Sequence, residues 1–412
     1  MTKLINLPPN PKNFIESLRR YGYDASTSVA DLIDNSISAE SNNIWIDCFP
    51  SKKDHWLSIT DDGLGMNRKD LISAMTLGAK NPKKERDTGD LGRFGLGLKT
   101  SSFSQCRNLT VVSKKKNSPI VAACWDLDII EKDNAWSLIE LEKSDLKNLP
   151  DNLREINGSG TQVIWQNIDT IEGETRQERS NDLDERLSSI RGDLALIFHR
   201  FINTSKNKAK GKINIYLNNN FIDPVDPFLE SNSATQRLRD EKIGKGKNQV
   251  NLQAFILPHH SKLNSEEKKI IEGKKGLTGG QGFYFYREKR LISYGGWHGL
   301  QGLKELSKLA RVKVDIPNSL DKEWITRVNK AGMSPPLIVR KAMKKLIETI
   351  SGRSVKVYRR RGRKKIIQKD LIWSKTETDG SITYEIDLTN EKIKDLINEV
   401  PKATKNKLIE VL

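Results

Sequence analysis

The sequence predicts a multidomain protein of mixed α/β (α+β) class, and three observations predict it. At 412 residues the chain exceeds what one hydrophobic core usually organises. Helical and strand periodicities alternate through its first half and recur in a different order in the second. A short, strongly basic region then stands apart at the C-terminal end. The expected organisation is a first domain over 1–205, a second over 206–350 and a small basic module over 351–412, without internal repeats.

In the first region, helices are expected in "NFIESLRRYGYDASTSVADLIDNSISA" and strands in "NIWIDCF", "WLSITDD", "NLTVVSKK", "IVAACWDL" and "SGTQVIWQNI". An amphipathic helix, "DLDERLSSIRGDLALIFHRFI", closes it, and "NTSKNKAKGK" reads as a junction. The second region brings a hairpin-like "INIYLNNNFIDPVDPF", a charged loop "RLRDEKIGKGKNQ", strands "VNLQAFIL", "GFYFYRE" and "RLISYG", and then further helices. In the last region "LIWSKTETDGSITYEIDL" carries Asp379-Gly380, a strong hairpin turn signal, before two short helices.

Composition removes several classes. With 36% hydrophobic and 30% charged residues the chain suits folded, soluble modules. No stretch approaches the roughly 18 apolar residues of a membrane span, and "MTKLINLPPNPKN" lacks a signal-peptide core, so a cytoplasmic protein without a membrane partner is expected. Cys48, Cys106 and Cys124 are scattered without metal-binding spacing and read as buried free thiols. No G-x-S-x-G elbow is present, which argues against a serine hydrolase. From Arg340 to Lys369 thirteen Lys or Arg face one acid, Glu348, and this stretch supplies +12 of the net +17. A solvated face or charged linker accounts for such a run; so does a site for phosphate backbone, through counterion release and arginine pairing.

Four short segments carry chemistry. "DLGRFGLGLKTSSFS" (90–104) gathers Gly92, Gly95 and Gly97 ahead of Lys99, and glycine loops let backbone N–H groups approach a phosphate. It matches neither the GxxxxGK[ST] phosphate loop nor a dinucleotide fingerprint, since no strand precedes it. In "VADLIDNSISA" the spacing stacks Asp31 and Asn35 on one helix face, with Leu32, Ile33 and Ile37 on the other. The amide oxygen suits Mg²⁺ and the acid suits a water attacking a γ-phosphate; alone, the pair reads equally as the wet side of an amphipathic helix. "LSITDDGLGMN" runs from a strand into Asp61, Gly63, Gly65 and Met66, either an ordinary Asp-Gly turn or an acid placed to accept from adenine's exocyclic amine. "NGSGTQVIW" delivers Thr161 at a strand start.

As an ordered set, "DLIDN", "DDGLGM", "GRFGLGLK" and "GSGT" resemble the GHKL ATPases, the group of gyrase B, heat-shock chaperones, histidine kinases and MutL. Within it, "FGLGLKTSS" and "FYFYREKRLISYGGW" resemble the MORC-type ATPases and their stand-alone bacterial relatives. The resemblance covers roughly the first 340 residues and weakens after them. It implies a Bergerat-fold α/β sandwich holding ATP under a lid over 78–94, followed by a transducer-like α/β domain. It also implies residue roles. Asp31 takes the general-base position, Asn35 binds Mg²⁺, and Ala39, Asp61, Gly63, Gly65, Met66 and Thr161 form the adenine pocket. Gly92, Phe94, Gly95, Leu96, Gly97, Leu98 and Lys99 wrap the phosphates, Lys99 adding to a helix's positive N-terminal dipole. Lys330, in preference to Lys322, is the transducer lysine that reaches the γ-phosphate. Most relatives place Glu where this chain has Asp31; the carboxylate then sits on the order of 1.5 Å further back, and slow hydrolysis is expected.

Two functions follow from the resemblance. In one, ATP drives dimerisation of two copies and clamping on DNA held by the basic segment 353–369, in DNA surveillance or phage defence. In the other, the nucleotide state controls a protein partner and the basic segment is an exposed linker. A histidine kinase is disfavoured because the five histidines, at 55, 199, 259, 260 and 298, all follow Asp31. "GGWHGL" predicts packing by Trp297 rather than chemistry at His298.

Overall fold

The computed structural model describes residues 4, 7–20, 23–49, 55–79, 91, 97–204, 213–321, 324–326, 333–359, 373–378, 381–386, 391–399 and 401. Two compact units emerge, 1–359 and 360–412.

The first unit opens with α1 (Pro11–Arg19) and α2 (Ala25–Ser38), then β1 (Asn43–Phe49), β2 (Trp56–Asp61), α3 (Arg68–Met75) and α4 (Gly97–Phe103). β3 (Asn108–Lys114), β4 (Ile120–Asp126), α5 (Leu127–Asp133), β5 (Ile139–Leu141) and β6 (Gly160–Gln166) follow, and α6 (Arg176–Ile197) leads to the paired β7 (Asn214–Leu217) and β8 (Asn220–Phe221). One eight-stranded sheet collects all the strands in the order β5-β4-β3-β6-β2-β1-β7-β8. Its pairings are antiparallel except that β7 runs parallel to β1. Strand alternation sorts the side chains between two faces. Leu57, Ile59, Leu109, Val111, Val163 and Trp165 join the main core with Val29, Leu32, Ile33, Phe103, Leu187 and Leu194 of the helices. Val112, Ala122 and Ile164 point the other way, under Leu146, Leu149 and Leu153.

Local chemistry sets the helix ends. Asp24 accepts from the N–H of Thr27 to start α2, and Thr175 and Glu178 form a reciprocal capping box at the start of α6. The helices expected within 13–39 are α1 and α2.

A second sheet follows, from β9 (Gln236–Arg237), β10 (Glu241–Ile243), β11 (Val250–Ile256), β12 (Gly282–Arg287), β13 (Arg290–Tyr294) and β14 (Ala310–Ile316), with α7 (Ser265–Glu272) and α8 (Gly276–Gly279) between β11 and β12. Its order is β10-β11-β14-β12-β13, with β9 pairing β11. Two sequence expectations are corrected here. The charged loop at 237–249 supplies β10 on the sheet edge, and "ARVKVDI", within a stretch read as helical, is β14, pairing antiparallel with β11 and parallel with β12. Beyond it lie the short pair β15 (Ile325–Thr326) and β16 (Met333–Ser334), then α9 (Leu337–Arg359). α9 packs Val339, Met343, Leu346, Ile347 and Ile350 into the second core while Arg340, Lys341, Lys344 and Lys345 lie exposed. Trp297 is buried there, its indole N–H donating to Gln281 Oε1 at 2.9 Å, as a packing anchor should.

In the second unit β17 (Trp373–Thr378) and β18 (Ser381–Ile386) pair antiparallel with Thr378 opposite Ser381, the hairpin that Asp379-Gly380 signals, and α10 (Glu391–Glu399) follows. All three cysteines are buried and free. Among the described residues no helix is long and apolar enough to cross a membrane.

Candidate functional site

β2 ends in Asp61, and the β2–β6 register sets it directly opposite Thr161. The Asp61 carboxylate is buried. Its Oδ1 accepts from the N–H groups of Gly63 at 3.0 Å and Thr161 at 3.2 Å, and its Oδ2 from the Ser36 hydroxyl at 2.9 Å. Burial pushes this carboxyl above its ordinary value, and the donors from Gly63, Ser36 and Thr161 pull against that.

The glycines beside Asp61 are there for space. A Cβ on Gly63 would stand 2.6 Å from the Ala39 carbonyl oxygen, so the turn after β2 lies flush on the end of α2. Gly65 has φ +65, and a Cβ there would fall 1.9 Å from the Lys114 carbonyl oxygen. The Ser113 hydroxyl receives the Met66 N–H at 2.9 Å, donates to the Gly160 carbonyl at 3.0 Å and lies 2.8 Å from Thr161 Oγ1. Ala39, Asp61, Gly63, Gly65, Met66 and Thr161 therefore meet at one place. Ser36 and Ser113, which lock them together, carry no sequence signal beyond a hydroxyl next to a motif.

The second half of the site is Asp31, on α2. It is only 7% exposed, whereas Asn35, one turn on, is exposed. The Tyr23 hydroxyl hydrogen-bonds to Asp31 and Thr100; burial first, then the Asp31 charge, pushes its ionisation well up, so it stays a protonated donor. The carboxylate spans a short gap. Arg290 Nη2 lies 3.5 Å from its Oδ1, and a Cβ on Gly97 would lie 3.6 Å from its Oδ2. Asp34, 3% exposed, binds the same arginine more closely, with Arg290 Nε 2.9 Å from Oδ1 and 2.8 Å from Oδ2. Tyr23, Asp34 and Arg290 were not singled out from sequence; a second acid three residues after Asp31 in "DLIDN" was the available signal.

Other predicted residues divide into two groups. Gly97, Leu98 and Lys99 form the first turn of α4, and the Lys99 ammonium, deeply buried, donates to the Ala74 carbonyl at 2.7 Å. Gly92, Phe94, Gly95, Leu96, Lys322 and Lys330 lie outside the described residues, as do most of the lid stretch and 360–369 of the basic segment. Among the described residues no group of three His, Cys, Asp or Glu gathers to hold a metal ion. The exposed Asn35 amide has a hard oxygen of the kind suited to an ion that arrives with phosphates. The arrangement thus offers a buried carboxylate acceptor suited to an amine-bearing edge at Asp61 and a sheltered carboxylate beside Gly97 at Asp31.

Comparison with known proteins gives the same stretch a family. Residues 23–161, from Tyr23 to Thr161, match the histidine kinase-, DNA gyrase B- and HSP90-like ATPase family. The ATPase morc-1 of Caenorhabditis elegans is 32% identical over 103 residues, covering 25% of this chain and 12% of that protein. The ATPase MORC2B of Mus musculus is 30% identical over 96 residues, 22% of this chain and 9% of its own length. A chaperone protein HtpG of Oceanobacillus iheyensis is 28% identical over 123 residues, 28% of this chain and 19% of the chaperone. The chain thus spans no more than 19% of the length of these relatives.

Proposed function

We propose that this chain, a member of the histidine kinase-, DNA gyrase B- and HSP90-like (GHKL) ATPase family, binds ATP with magnesium and hydrolyses it slowly, using the bound state to bring two copies together on DNA. One observation carries the nucleotide reading: Asp61, hydrogen-bonded to Ser36 and Thr161, lies by the C-terminal end of α2, and Asp31, beside Gly97, lies midway along the same helix. Asp61 accepts from the exocyclic amine of adenine, with Ala39, Gly63, Gly65, Met66 and Thr161 around the base. Gly92, Phe94, Gly95, Leu96, Gly97, Leu98 and Lys99 enclose the phosphates, and Lys330 reports the γ-phosphate. Asn35 would hold magnesium together with the phosphates, and the ion would then supply charge neutralisation at the phosphoryl group. Asp31 takes the proton of a water whose oxygen bonds to the γ-phosphorus as the bond to the β,γ-bridging oxygen breaks, leaving ADP and phosphate.

The DNA part of the reading rests on charge. Arg340, Lys341, Lys344 and Lys345 are exposed on α9, and the basic segment 353–369 follows them in the sequence, a charge pattern suited to phosphate backbone. A ligand that binds only the closed, paired form shifts the equilibrium toward it by its full differential affinity.

Light scattering with no nucleotide, ADP or a non-hydrolysable ATP analogue, each with and without duplex DNA, tests the whole. Analogue-dependent dimers that retain DNA are expected; a monomer in every condition rejects the clamp. Replacing Arg359, Arg360, Arg361 and Arg363 should remove salt-sensitive DNA binding and leave turnover. DNA binding untouched by those changes rejects the basic segment as the contact.

A further inference from the structure

Two arginines of the second sheet enter the nucleotide site. Arg287 ends β12 and Arg290 begins β13, joined by a two-residue turn in which Glu288 (φ 46) and Lys289 (φ 71) both take left-handed backbone. The register sets the two arginines directly opposite each other. Like charges opposed across a strand pair repel, and both side chains are buried, so the arrangement persists only because carboxylates surround it.

Each arginine has a distinct partner set. Arg287 forms a two-point pair with Asp321, its Nε and Nη2 each 2.7 Å from an oxygen, and its Nη1 donates at 3.1 Å to the buried carbonyl of Leu91, next to Gly92. Arg290 takes Asp34 with Nε and reaches Asp31 Oδ1 with Nη2. One tight hairpin therefore holds both the acids of α2 and the Leu91 carbonyl. Neither contact is local: Arg290 lies 256 and 259 residues from its two partners.

Asp31 is the shorter acid, and it has two oxygens to place. Oδ1 lies toward Arg290 and Oδ2 toward Gly97, and the Tyr23 hydroxyl bonds to the same carboxylate. A guanidinium fork already fixed by Asp34 is a rigid mount for that orientation, which a flexible lysine ammonium is not.

Resting on the ATPase reading, we infer that Arg290 is a positioning residue for Asp31, holding its carboxylate toward the attacking water, so that phosphoryl transfer depends on where the second sheet places the 287–290 hairpin. Arg290 touches the acid itself. Its loss should slow the chemical step and spare binding.

The test compares the full chain with Arg290→Gln and Arg290→Lys, measuring equilibrium affinity for a fluorescent ATP analogue with magnesium, single-turnover ATP hydrolysis, and thermal melting as a control for folding. Arg290→Gln should slow turnover on the order of ten- to a hundredfold, the scale of a misplaced reacting group, and change affinity by less than about threefold. Arg290→Lys, which keeps the charge and loses the fork, should recover part of the rate. Turnover at the wild-type rate in Arg290→Gln overturns the inference, and so does a proportional loss of affinity and rate that lysine does not relieve. If Arg290→Gln does not fold, Arg290→Lys decides alone: slowed turnover at unchanged affinity supports the inference, and an unchanged rate overturns it. A wild-type chain that binds nucleotide without turning it over overturns this inference alone, whereas one that binds no nucleotide rejects the ATPase reading beneath it.

Discussion

Asp61→Asn separates binding from folding. The carboxylate accepts three protein hydrogen bonds, two on Oδ1 and one on Oδ2. An asparagine carbonyl in the Oδ1 position keeps the Gly63 and Thr161 donors. Its NH₂ then faces the Ser36 hydroxyl, which can turn to accept because its own proton has a second acceptor, the Leu32 carbonyl at 3.4 Å. The fold loses little. The sign of the titration favours the variant further: burial raises the folded carboxyl above its unfolded value of about 3.9, so stability from the protonated form is complete below that value and is lost as pH rises through the raised one. Near pH 7 the wild type carries that cost and the variant does not. Asp61→Asn should therefore melt no lower than wild type at pH 7, with any advantage vanishing at and below about pH 4. Adenine's amine, in contrast, meets a donor where it needs an acceptor. A buried donor left unpaired costs about 1–3 kcal/mol, on the order of ten- to a hundredfold in Kd. Calorimetric titration of ATP beside thermal melting at pH 7 and pH 4 reads both effects. Wild-type ATP affinity in a folded Asp61→Asn protein refutes the reasoning.

The other predictions address the acid, a glycine and a buried histidine. Asp31→Asn should keep ATP affinity and lose turnover by about a hundred- to ten-thousandfold, measured by phosphate release. Gly65→Ala should lower both melting temperature and ATP affinity: the left-handed conformation costs about 1–2 kcal/mol in an L residue, and the Lys114 carbonyl must move to admit the Cβ. His199, hydrogen-bonded to the Tyr286 hydroxyl at 2.8 Å, is pushed down to about 3, by burial first and then by Arg200 and Lys313. Its neutral form supports the fold fully above the unfolded value of about 6.5, and that support drains as pH falls toward 3. Melting of His199→Gln against wild type should show a gap that narrows with acidification across this window.

Much of the proposed nucleotide region was legible because its signals are local. Strand alternation placed β1, β2, β3, β4 and β6, and the glycines after Asp61 marked a turn too close to α2 and β3 for any side chain. The pairing of Asp61 with Thr161 could be anticipated only through the resemblance, since no spacing rule joins residues 100 apart. Other features lay beyond local reading. Asp31 and Asn35 share a helix face as the spacing requires, but one is buried and the other exposed because a second element, β13, covers the first. The addition of β7 beside β1 is equally remote in sequence. β14 was hidden by its burial, which leaves "ARVKVDI" only partly alternating between flanks read as helical. Lys99 turns to a carbonyl of α3, a contact that depends on how α3 and α4 lie together rather than on the motif.

The central claim is that separated segments converge on one nucleotide, with its base on Asp61 and its last phosphate at Asp31. A crystal structure of the chain with magnesium and a non-hydrolysable ATP analogue measures this directly. The account predicts the adenine amine within hydrogen-bond distance of the Asp61 carboxylate and the γ-phosphate between Asp31 and Gly97. Nucleotide density lying elsewhere, with Asp61 and Asp31 both untouched, would contradict it.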